Sequence, residues 1–96
     1  MIIRIFRVEI DPNLREEFES EFSSVSIDAV TSSKGYRQVS IAKPTKWTPN
    51  EYAMISEWDS EDALEEFVGE NWNEAFIPEG MAKFVRSCSV HHYHRW

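Results

Sequence analysis

Apolar positions along the chain mark out six elements by their period, in the order strand, helix, strand, strand, helix, strand, with little slack between them. From Ile2 to Ile10 the residues alternate, Ile3 and Ile5 on one face and Phe6, Val8 and Ile10 on the other. Apolar groups on both faces mark a central strand buried on two sides. Asp11-Pro12 then reads as an N-cap and first helical residue: the carboxylate accepts an orphan N–H, and proline has no N–H to lose. Leu14, Phe18, Phe22, Val25 and Ala29 recur at helical spacing behind it, with Arg15, Glu16, Glu17 and Glu19 facing away.

Lys34-Gly35 supplies a left-handed stop, and Tyr36 to Lys43 alternates as a second strand. A third strand is expected from about Tyr52 to Trp58. The intervening Pro44–Asn50 exceeds the usual hairpin loop of about two to five residues. Its Trp47, between two prolines, is expected to fold back as a hydrophobic plug or to touch another subunit. Ser60 is an N-cap with Glu61 and Asp62 in the favourable first turn. The stripe Leu64, Phe67, Val68, Trp72, Ala75 and Phe76 predicts a helix running through Gly69 until Pro78 ends or kinks it. Met81–Phe84 leads into a last strand, Val85 to about Tyr93.

This order is a split βαβ repeat, βαββαβ. It predicts one α+β, ferredoxin-like domain over residues 1–96: a four-stranded antiparallel sheet with both helices on one face. The other face has no cover of its own. An apolar patch there, formed by Ile3, Ile5, Ile41 or their neighbours, predicts a homodimer.

Seventeen acidic residues against ten basic give a formal charge of −7, which repels phosphate backbones and anionic headgroups, so neither nucleic acid nor a membrane is an expected partner. The first strand is polar-interrupted and unlike a secretion signal, and Cys88, the single cysteine, cannot form an intrachain disulfide. A cytoplasmic location is expected. The three glycines at 35, 69 and 80 build no phosphate-cradling loop, so no flavin or nicotinamide cofactor has motif support, and no serine sits in a nucleophile elbow.

In element order and length the whole chain resembles the antibiotic biosynthesis monooxygenase family. The resemblance also rests on Tyr52-Ala53-Met54-Ile55-Ser56-Glu57-Trp58-Asp59-Ser60-Glu61-Asp62-Ala63-Leu64, a strand ending in tryptophan and running into a helix with a Ser-x-x-Ala entry, and on Gly35-Tyr36 opening the second strand. It implies a dimeric α+β barrel and, for part of the family, cofactor-independent oxygenation of a small aromatic substrate. The departures count as well. Many relatives place a histidine nine residues after the strand-ending tryptophan; the haem-degrading branch has tryptophan there, an axial histidine ten residues later, and an asparagine on its first strand. Here those positions are Phe67, Ile77 and Phe6, none able to ligate iron.

The chemistry implied by the resemblance needs a phenol or dihydroquinone, an aromatic-lined pocket and one proton acceptor. Phe6, Trp58, Phe67, Trp72 and Phe76 are the candidate walls, Asn71 or Asn73 an orienting hydrogen bond, and His91 or His92 the base. The same aromatics fit ordinary core packing, and the asparagines a solvated helix face. On a strand His92 and His94 share one side with Cys88 and Val90, while His91 joins Ser89 and Tyr93 opposite. Two or three ligands from one strand are too few for a metal site, and none is expected. A non-catalytic small-ligand binder, or an isomerase or lyase, is the alternative on the same scaffold.

Overall fold

The asparagine after Pro12 shows how the first helix begins: its amide donates to the Asp11 carboxylate at 2.9 Å, and the chain enters a 3-10 turn, Pro12–Leu14. The computed structural model, which describes Met1–Trp96, follows the predicted order. Strand β1 (Ile2–Ile10) precedes one unbroken helical run of α1 (Arg15–Glu21), a π turn (Phe22–Ser26) and α2 (Ile27–Thr31). β2 (Tyr36–Ala42), β3 (Glu51–Trp58), α3 (Glu61–Val68) and β4 (Val85–His94) complete the chain. The four strands form one antiparallel sheet in the order β2-β3-β1-β4. No helix is long and apolar enough to cross a membrane.

The π turn changes which residues face inward. An α-helix from Phe22 would present Val25 and Ala29, but the wider turn rotates the run so that Ser26 and Val30 are buried instead. Val25 and Ala29 are left half-buried at the margin.

Gly35, at φ +81°, turns the chain where only glycine fits. A Cβ there would lie 2.6 Å from the Ala63 Cβ, so the turn packs directly on α3. The Gly35 carbonyl also accepts from the Asp59 amide at 2.8 Å, joining the start of β2 to the end of β3.

Three expectations are corrected. The second helix stops at Val68, because Gly69 leaves the helix at φ +93° while its amide still donates to the Glu65 carbonyl. Asn71, Trp72 and Phe76 therefore lie on a coil, not on a helix. Ile41 is not on the open sheet face: an irregularity between Tyr36 and Gln38 shifts the parity of β2 and pairs Ile41 with buried Met54, on the helix side. Trp47 is no plug, being 81% exposed with the Lys46 ammonium 4.9 Å above its ring.

Core packing divides along β3. At its start Tyr52 meets Phe18, with ring centroids 4.7 Å apart, and Phe18 in turn meets Phe22 and Phe84. At its end fully buried Trp58 stacks on Phe67 at 4.9 Å. The opposite face carries Ile3, Ile5, Ala53 and Ile55 at its centre, all half-buried, with Ile5 directly opposite Ile55.

Candidate active site

Between the two aromatic groups the sheet and helices do not close. The gap is walled by Phe6 and Val8 of β1, Met54 of β3, Phe22 and Val30 of the helical run, and Phe67 of α3. Phe76, Ile77 and Pro78 of the coil after α3 close its remaining side. Counting the open mouth, about 600 Å³ is unfilled, but only about 40 Å³ can hold the centre of a water molecule. That is room for roughly three waters, so an aromatic ring enters only if the coil or Phe76, itself 43% exposed, moves aside.

Twelve of the sixteen lining residues are hydrophobic. The polar ones include Ser26, delivered by the π turn, Ser56, and Arg4, the one charged group. Arg4 interrupts the inward face of β1 and is 5% exposed. Its Nη1 donates to the Trp72 carbonyl at 2.7 Å, and its Nη2 to the Glu74 carbonyl at 3.3 Å. It thereby pins the coil between Gly69 and Gly80, both at positive φ, against the sheet. Nη1 also lies 2.8 Å from His92 Nε2. Burial lowers the Arg4 pKa to about 10, which leaves the group charged at neutral pH.

His92 sits opposite Arg4 in the β1–β4 register, behind the guanidinium and outside the cavity lining. Its ring meets Trp72 edge-on at 4.7 Å. Burial first, then the Arg4 charge and then His91, push its pKa down to about 4. It is neutral at physiological pH, and its Nε2 lone pair accepts from Arg4.

The other candidates divide clearly. Phe6, Phe67 and Phe76 line the cavity. Trp58 lies behind Phe67 in the core, its Nε1 donating to Ser56 Oγ at 3.0 Å. Trp72 touches His92 and lends its carbonyl to Arg4, but its ring does not line the cavity. Asn71 is exposed, and its carbonyl accepts from the Glu74 amide at 2.9 Å. His91 pairs with Ile5 and lies on the open sheet face. Arg4 went unrecognised in the sequence, although a cation at an inward position of a central strand was the available signal. No group of three His, Cys, Asp or Glu residues is placed to hold a metal ion.

Phe6, Phe67 and Ile77, which the resemblance sets against residues of the haem-degrading branch, all line this one cavity. No histidine, cysteine or tyrosine joins them, and the thioethers of Met54 and Met81 are packed in the core. These residues do not fit a haem.

The sequence profile described as "Antibiotic biosynthesis monooxygenase" matches residues 1–79. Among curated proteins none matches. Solved structures share the fold at low identity. A variant of SnoaB, a cofactor-independent oxygenase from Streptomyces nogalater, is 17% identical with a TM-score of 0.73, over 98% of this chain and 91% of that one. A haem degrader from Mycobacterium tuberculosis, with two haems in its active site, is 16% identical with a TM-score of 0.72, over 99% and 95%. A conserved protein from Methanosarcina mazei is 16% identical with a TM-score of 0.74, over 100% and 94%.

Proposed function

Given that the chain belongs to the antibiotic biosynthesis monooxygenase family, we propose that it is a cytoplasmic, homodimeric, cofactor-independent monooxygenase acting on a small phenol or dihydroquinone. One observation supports this reading: Phe6, Phe67 and Ile77, which the resemblance sets against residues of the haem-degrading branch, line a single cavity and are aromatic or aliphatic, not metal-ligating. Such a cavity suits a flat ring that must be kept from water while it reacts. A phenol that loses its proton can pass an electron to dioxygen. Recombination at a ring carbon and loss of water then leave one oxygen atom in a quinone and the other in water.

His92 is the proton acceptor on this side of the sheet, its Nε2 becoming free when the Arg4 guanidinium turns away from it. His91, on the opposite face, belongs to the seam between subunits. A second copy covers Ile3, Ile5, Ala53 and Ile55, an aliphatic surface otherwise left to water. The exposed free thiol of Cys88 suits a reducing compartment.

A second reading, a non-catalytic binder of the same ligands, draws on the masked His92 Nε2, since no imidazole or carboxylate lines the cavity. Oxygen consumption with a panel of dihydroquinones decides between them. The monooxygenase reading expects protein-dependent uptake, reduced about a hundredfold in His92→Gln. Binding without uptake by any member of the panel leaves the binder.

A further inference from the structure

Arg4 is an anomaly that the oxygenase reading does not by itself require. It is the only charged group among the cavity-lining residues, on the central strand β1, almost wholly buried. Every ion pair in the chain uses a different cation, so no carboxylate neutralises it. Glu74, close in space, offers only its backbone carbonyl. The three partners of Arg4 are two carbonyls and a neutral imidazole. A guanidinium has about five N–H groups, so two of them donate to no protein acceptor. A buried cation without a counter-ion is costly unless something negative completes it.

We propose that the cavity takes its ligand as a planar aromatic anion, a ring bearing a phenolate or carboxylate oxygen that pairs with the Arg4 guanidinium. This rests on the reading that the cavity is the ligand site, and names Arg4 as the residue that selects for charge. The apolar walls hold the ring, and the spare N–H donors meet the oxyanion. Within about 4–6 Å a cation also favours the ionised form of a phenol, lowering its pKa by about 1–3 units.

Two matched pairs of probes test this. 4-Nitrophenol is compared with 4-nitroanisole, which cannot ionise, and benzoate with benzamide; binding is followed by the NMR signals of the Met54 methyl and the Phe67 ring, and the yellow of the nitrophenolate reports its protonation state. At least one anion should bind tenfold or more tightly than its uncharged partner, and the pair that shows the preference identifies phenolate or carboxylate as the source of charge. Arg4→Met should erase the preference and Arg4→Lys should keep part of it; if Arg4→Met does not fold, the preference of the unmodified protein still decides. Neutral and charged rings binding alike, or a preference that survives in folded Arg4→Met, overturns the anion assignment and leaves the cavity as ligand site. No perturbation by any of the four probes overturns both.

Discussion

Arg4 Nη1 lies 2.8 Å from His92 Nε2, and because a guanidinium can only donate, the histidine nitrogen is the acceptor. This fixes the ring as the tautomer protonated on Nδ1 and ties the electrostatics of β4 to a residue on β1. The same guanidinium holds the coil over the cavity. One side chain therefore links His92 to the coil that covers the cavity.

The coupling gives stability a specific pH dependence. Folded His92 protonates near pH 4, whereas the unfolded chain takes up that proton near 6.5. The unfolded state binds more protons between those values, so this contribution is complete above about 6.5 and lost as pH falls towards 4. Urea midpoints measured across that range should fall less steeply in His92→Gln than in the unmodified protein. Parallel curves would contradict the buried, neutral histidine. In Arg4→Met, the His92 imidazole should titrate at a higher pH by NMR.

Arg4→Met should also release the coil without unfolding the domain. The substitution removes two hydrogen bonds to backbone carbonyls but also a buried charge, and these effects oppose each other in global stability. Amide exchange in residues 70–80 should quicken by about tenfold or more while the β1 amides stay protected. Unchanged exchange in the coil would show that Arg4 does not pin it.

Ile5 and Ile55, paired across β1 and β3, sit at the centre of the open sheet face. The protein should sediment as a dimer at micromolar concentration, and Ile5→Lys should give folded monomers, since a charge there loses apolar burial and cannot be solvated at the seam. A stable monomer from the unmodified chain would refute the proposed interface.

Gly35→Ala should destabilise the domain by roughly 2 kcal/mol or more, combining a positive φ with a Cβ forced into Ala63. Chemical denaturation reads this directly. A neutral substitution would mean that the turn and α3 separate more readily than their contact implies.

Much of the fold was legible because period alone distinguishes its elements: Ile2–Ile10 announces an inner strand, Tyr52–Trp58 a further strand, and Asp11-Pro12 and Ser60 helix starts. Two features depend on single residues whose effect is not periodic. Gly69 ends α3 although the apolar stripe continues through Trp72 and Phe76: from the coil Trp72 still packs against the core, and Phe76 meets Phe67 edge-on while staying largely exposed. The π turn puts Ser26 where the α period expects Val25, since an inserted residue costs little and leaves no mark on the pattern. In the site, Phe6, Phe67 and Phe76 were legible as walls. Arg4 was not, because its burial depends on partners 68 to 88 residues away along the chain.

Isotopically labelled dioxygen tests the central claim most directly. Turnover of a dihydroquinone or phenol substrate under labelled oxygen gas, in a protein preparation free of flavin and metal, should give a quinone carrying one labelled atom per molecule, the second label appearing in water. A product whose new oxygen comes from unlabelled water, or oxygen consumed only to release hydrogen peroxide, would contradict monooxygenation in this cavity.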